Sequence, residues 1–166
     1  MKTISSNVFS FVISSLAKFN EFCNTLGELV EPPLTIALNG QLGSGKTTFV
    51  RALCKGLGCS SLEFVTSPTF VLMQEYQARC PVYHFDVYRL TNESQFLDFD
   101  AGPIFSGQNV VLVEWAEKII NCLPAKRLNI FLEVLGPEER KIEIHFLGGT
   151  DYPRIRDYLL SFSTPP

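Results

Sequence analysis

The string Gly40-Gln41-Leu42-Gly43-Ser44-Gly45-Lys46-Thr47 fits the pattern G-x-x-x-x-G-K-[ST]. Its chemistry is anion binding. Glycines let the backbone curl until successive N–H groups face one point, and a helix starting just after the loop aims its positive end there. Gly40, Gly43, Ser44 and Gly45 would form that cradle, with Thr48 following at the start of the helix. Lys46 would reach the outer phosphates. The Thr47 hydroxyl is a hard oxygen ligand suited to Mg²⁺.

A phosphate loop of this kind works with a carboxylate at the end of a neighbouring strand. Two apolar segments end in an acid, Val110 to Glu114 and Val82 to Asp86. Either acid could serve, or could sit in an ordinary salt bridge; Glu114 is favoured for the metal. Thr66-Ser67-Pro68-Thr69 is either a plain turn or a hydroxyl-bearing switch that senses the terminal phosphate. His84 reads as a structural strand histidine or a site residue. Tyr88 and Arg89 closely follow Asp86, and the arginine could hold that acid, contact phosphate or bind a partner. Trp115, the single tryptophan, is a core filler or a partner anchor.

The elements that must position these groups follow from patterning. Leu16, Phe19, Cys23, Leu26 and Val30 recur at helical spacing, and the Pro32-Pro33 pair ends that helix. Leu34 to Leu38 is a buried strand. A helix runs from Thr47 to about Lys55, stopped by Gly56 and Gly58. Phe64-Val65 is expected as a short strand, followed by strands over 70–76 and 82–86 and a short helix over 93–97. Val110 to Val113 is apolar enough for a central parallel strand. Leu128 to Leu135 and Lys141 to Phe146 form a hairpin around Gly136-Pro137, and a last helix spans about Asp151 to Phe162. The expected fold is an α/β sheet with helices on both faces.

A chain of 166 residues favours one domain over 1–166, and 46% hydrophobic with 19% charged residues suits a packed core. The net charge is −3 and basic runs are absent, which argues against nucleic-acid binding by this chain alone. Cysteines stand at 23, 54, 59, 80 and 122. An odd number without a Cys-x-x-Cys pair argues against a disulfide framework or a zinc site, and for free thiols in a reducing cytosol. No apolar run reaches the ~18 residues of a membrane span. Lys2 followed by Val8 to Leu16 mimics a signal peptide, but serines interrupt it and no small-x-small cleavage site follows. The N-terminal region therefore reads as an amphipathic helix packed on the domain.

Four blocks together resemble the TsaE (YjeE) family of tRNA threonylcarbamoyladenosine biosynthesis ATPases. Gly40 to Phe49 is similar to the family's phosphate loop, and Val65-Thr-Ser-Pro-Thr-Phe70 to its switch. His84-Phe-Asp-Val-Tyr-Arg89 is similar to its H-x-D-x-Y-R block, and Leu112-Val-Glu-Trp115 to its L-V-E-W strand end. The resemblance implies a P-loop NTPase-like, mostly parallel sheet with a C-terminal antiparallel hairpin. It also implies ATP and Mg²⁺ as ligands, with Lys46 and Thr47 on phosphate and metal, Glu114 linked to the metal and Asp86 acting in hydrolysis. Thr66 to Thr69 would respond to nucleotide. Weak ATP turnover would reset a complex of TsaB-like and TsaD-like proteins that modifies adenosine 37 of tRNAs reading ANN codons. The chain would be cytoplasmic and would meet tRNA indirectly, through that complex. Gln41 stands where the family usually has Asp; it keeps that residue's size and polarity and loses its charge. By position, adenine contacts are sought near Ser14–Leu16 and Arg140. A kinase reading lacks the arginine-rich lid, and a GTPase reading lacks N-K-x-D. A module that binds nucleotide without hydrolysis is a third alternative.

Overall fold

A computed structural model describes residues 7–163. Lys2 and the outermost residues of the expected 1–166 domain lie outside the described residues. The strands are β1 (Val8–Ile13), β2 (Leu34–Asn39), β3 (Met73–Gln77), β4 (Pro81–Asp86), β5 (Val110–Glu114), β6 (Arg127–Val134) and β7 (Arg140–Leu147). The helices are α1 (Leu16–Leu29), α2 (Lys46–Gly56), α3 (Glu93–Leu97), α4 (Gly102–Ser106) and α5 (Pro153–Ser163).

All seven strands share one sheet in the order β1-β7-β6-β2-β5-β4-β3. The central strands β6, β2, β5 and β4 run parallel. The β6/β7 hairpin and β1 add antiparallel strands on one side, and β3 adds one on the other. The expected architecture, an α/β fold with a mostly parallel central sheet and a C-terminal hairpin, is therefore observed.

Successive side chains in a strand point to opposite faces, and here the faces feed two cores. Ile36, Leu38 and Leu112 pack beneath α1, α2 and α5. Ala37, Val111 and Val113 face α3, α4 and a 3-10 segment, Ala116–Cys122. Ser15 caps α1 by accepting from the Lys18 N–H, and Phe19, Phe22, Cys23 and Leu26 turn its apolar stripe inward. The α1 and α2 backbones nearly touch. A Cβ on Gly56 would lie 1.9 Å from the Asn24 carbonyl oxygen, so only glycine allows this approach. Arg79 secures both helix ends by donating to the carbonyls of Gly27, Val30 and Gly56.

Three sequence expectations change. Phe64-Val65 is not a strand: Leu62–Phe64 is a 3-10 turn, Val65 donates back to Leu62, and no ladder lies within reach. The strand expected from Phe70 begins only at Met73, because Val71 donates back to Pro68 and Leu72 turns left-handed at φ 65°. The stretch 8–13 is strand β1, laid along β7, and the helix starts only at Leu16. Phe9 and Ile13 are buried and Val8, Ser10 and Val12 exposed, so Ser10 belongs to the outward half of a strand alternation, while Ser14 and Ser15 lead into α1.

Candidate functional site

The phosphate loop grows out of the carboxyl end of β2. Register then aligns the acids beside it: Leu38 pairs with Glu114 on β5, and Glu114 pairs with Asp86 on β4. Parallel strands in register put one strand-end acid after another on the same sheet edge, where α/β folds bind ligands.

Within the loop, Gly40 has φ 147°, and a Cβ there would meet the Leu132 carbonyl oxygen at 2.5 Å. Gly45, at φ 106°, opens α2 with no side-chain cap and no acid in the first turn. The first intrahelical bond runs from the Phe49 N–H to the Gly45 carbonyl, so the N–H groups of Lys46, Thr47 and Thr48 are the helix's free donors. Gly43 has open space around it. Ser44 is buried beside Gly40, and its hydroxyl has no partner among the described residues.

Lys46 folds back over its own loop. Its Nζ donates to the Gly40 carbonyl at 2.5 Å and the Gln41 carbonyl at 3.0 Å, and lies 3.8 Å from the Trp115 ring centre. Burial lowers the lysine pKa, while the carboxylates of Glu114, Glu117 and Asp86 pull it back up. Trp115 takes the left-handed conformation at φ 61°, rare for a bulky residue, and also packs against Tyr88.

Thr47 donates its hydroxyl to Glu114, 2.9 Å and 3.0 Å from the two carboxylate oxygens. His84, fully buried, bridges Glu114 Oε1 at 2.8 Å and the Tyr76 hydroxyl at 3.1 Å. Burial and nearby thiols raise the Tyr76 pKa, chiefly burial. Asp86 holds the 66–69 segment. Ser67 Oγ donates to its Oδ2, Thr69 Oγ1 donates to the same oxygen at 3.1 Å, and the Tyr88 N–H donates to Oδ1 at 2.9 Å. Pro68 accepts from the Val71 N–H to close a turn over Thr69-Phe70, and Thr66 is exposed.

The other candidates fall outside this cluster. Arg89 is exposed and stacks on the Phe70 ring at 4.2 Å; Asp86 is held by hydroxyls and an amide instead. Arg140 lies on β7 behind the loop. It donates to the carbonyls of Ser44, Gly136 and Glu139, so its guanidinium braces the cradle.

Two cavities meet at Thr47, Thr48 and Ser67. One, about 420 Å³, is lined by Gly43, Gly45, Lys46, Thr69, Asp86, Glu114 and Trp115. The other, about 840 Å³, is lined by Leu16, Ala17, Asn20 and Asn24 of α1, Arg51 of α2, and Thr66. The donor set fits a magnesium–polyphosphate: a hydroxyl and buried carboxylates as hard oxygen ligands, beside free helix N–H groups and an ammonium.

A family model described as Threonylcarbamoyl adenosine biosynthesis protein TsaE matches residues 13–142. This chain belongs to the TsaE family. A tRNA threonylcarbamoyladenosine biosynthesis protein TsaE from Bacillus subtilis is 43% identical over 119 residues, covering 71% of this chain and 73% of the relative. One from Treponema pallidum is 40% identical over 119 residues, covering 72% and 87%. The crystal structure of Bacillus subtilis YdiB superposes with TM-score 0.74 at 28% identity, covering 95% of this chain and 97% of that one. The TsaE family takes part in tRNA threonylcarbamoyladenosine biosynthesis. Among the described residues, no helix is long and apolar enough to cross a membrane.

Sequence reasoning about this TsaE-family chain missed Tyr76, Asn20 and Asn24. The asparagines stand four apart on the polar side of α1 and so share one helix face, a signal that was available. Tyr76 had none, because its contact with His84 depends on how β3 registers against β4.

Proposed function

We propose that this protein binds Mg-ATP, hydrolyses it weakly and spends that turnover resetting a TsaB–TsaD-like complex. That complex would carry threonylcarbamoyl to adenosine 37 of tRNAs reading ANN codons. The observation that carries the nucleotide reading is the alignment, on one sheet edge, of free α2 N–H groups, Lys46, the Thr47–Glu114 pair and Asp86. The smaller cavity would take the phosphates and the larger one the nucleoside, along Leu16, Ala17 and Asn20. Leu16 falls within the 14–16 stretch where adenine contacts are expected. Arg140 would act on the nucleotide only through the loop it braces.

Thr47 and Glu114 would hold Mg²⁺, which supplies charge neutralisation across the outer phosphates. Lys46 would leave its carbonyl partners for phosphate oxygens. His84 orients Glu114 by fixing one of its oxygens. Asp86 shares Ser67 and Thr69 with the switch, so a phosphate that draws these hydroxyls away frees the carboxylate to position water. The Gln41 side chain is neutral, so the acids of β4 and β5 carry the water and metal roles. The negative net charge fits a subunit that meets tRNA through its partners.

The test is phosphate release with and without TsaB-like and TsaD-like proteins, for wild type, Glu114→Gln and Asp86→Asn. Partner-stimulated turnover should fall at least about a hundredfold in each variant, the lower end of what losing one positioned transition-state group costs. Full turnover in both variants removes the acids from the mechanism. Tight ATP binding with no phosphate release, partners included, favours the binding-module alternative.

A further inference from the structure

The helix that carries the phosphate loop stops in a way that sets two thiols together. After Gly56, Leu57 stays right-handed and Gly58 turns left-handed at φ 84°. The Cys59 N–H donates to the Cys54 carbonyl and the Gly58 N–H to the Lys55 carbonyl, each at 3.0 Å. These are the two bonds of a Schellman stop. That geometry folds the residue after the left-handed position onto the residue five places earlier, usually as an apolar contact. Here the two residues are Cys59 and Cys54, so the stop brings both thiols to the same end of α2, with Cys59 packed on the core that holds Cys54.

The two thiols are not equivalent. Cys54 is fully buried. Cys59 is half-buried and lines a cavity of about 440 Å³ with Ser60, Ser61 and Tyr76. The neighbouring Cys54 thiol lowers the Cys59 pKa, whereas Cys59 and burial push Cys54 up. Burial raises Cys23, Cys80 and Cys122 instead. A half-buried thiol that opens on a cavity, set beside a fully buried one, is the arrangement of an attacking and a resolving cysteine.

We propose that Cys59 and Cys54 form a peroxide-oxidisable dithiol at the stop of α2. The Cys59 thiolate attacks the terminal oxygen of a hydroperoxide. An S–O bond forms, the O–O bond breaks, and the departing oxygen takes a proton and leaves as water when the oxidant is hydrogen peroxide. The Cys54 sulfur then attacks the Cys59 sulfenic acid. An S–S bond forms, the S–O bond breaks, and the hydroxide leaves as water with the Cys54 proton. Two electrons pass from the pair to the peroxide, and a thiol reductant reverses the bond. The link would tie the end of the phosphate-loop helix to the segment entering the switch, next to Tyr76 and its His84 contact.

The full chain is treated with hydrogen peroxide under native conditions, remaining thiols are alkylated, and intact mass and non-reduced peptides are read. Wild type should lose the mass of two hydrogens and yield a peptide joined through Cys54 and Cys59. Cys59→Ser, at a half-buried position, should lose this product at the same dose. Cys54→Ser should stop at a Cys59 sulfenic acid trapped by dimedone. Oxidation first at Cys122 or Cys80, a Cys59–Cys80 bond, or an unreacted pair at doses that oxidise Cys122 would each overturn the proposal. These readouts contain no nucleotide, so they stand or fall apart from the ATP reading.

Discussion

Lys46→Ala removes the ammonium at the mouth of the loop, and its cost can be worked from the geometry. At ~4 Å from one phosphate charge and an effective dielectric of ~20, the attraction is about 4 kcal/mol. The resting ammonium is already engaged, by the Gly40 carbonyl at 2.5 Å and the Gln41 carbonyl at 3.0 Å. Giving those up costs about 1.5 kcal/mol each in net terms, the low end for bonds from a charged group. The difference, about 1 kcal/mol, is about a fivefold weaker Mg-ATP affinity. It is a floor, because without the lysine the carboxylates of Glu114, Glu117 and Asp86, which now offset its charge, face the phosphates uncompensated. Titration calorimetry at fixed ionic strength reads the change, and a thermal melt establishes that the variant is folded. A folded variant whose dissociation constant stays within about threefold of wild type would refute the reasoning.

Two further outcomes are expected. Gly40→Ala puts a Cβ 2.5 Å from the Leu132 carbonyl oxygen and 2.6 Å from Ser44 Oγ. It should destabilise by about 2–4 kcal/mol from crowding and left-handed strain. An unshifted melting curve would show that the loop can relax around the added methyl. Trp115 emission should change on saturating Mg-ATP, since the Lys46 ammonium now sits 3.8 Å over its ring and must leave to reach phosphate. A flat titration under conditions where calorimetry shows binding counts against that movement.

Much of the site was legible because each group carries a local signature. The phosphate loop is contiguous, and a glycine at 40 or 45 can be read as a backbone demand before any coordinates exist. Glu114 and Asp86 were legible as acids closing apolar runs. The 93–97 helix was legible from a local pattern, and Asn92 caps it by accepting from the Gln95 N–H. What misled was a pattern with two readings. Val8 to Ile13 alternates between buried and exposed, yet its Ser10 read as a break in a signal-like run because its partner β7 lies over a hundred residues away.

The sequence alone determined the groups of the candidate site, a glycine-rich loop with a cation, a hydroxyl and two strand-end acids, and the family to which such a set belongs. Tertiary structure decided the pairings. Glu114 meets Thr47 and His84, Asp86 rather than a surface partner holds Ser67 and Thr69, Arg140 braces Ser44 from behind, and Lys46 lies on Trp115. The reason is register. Side chains alternate every residue along a strand, so a slip of one position would turn these groups to the other face. That register is set by the packing of both faces of the whole sheet, which no local stretch of sequence contains.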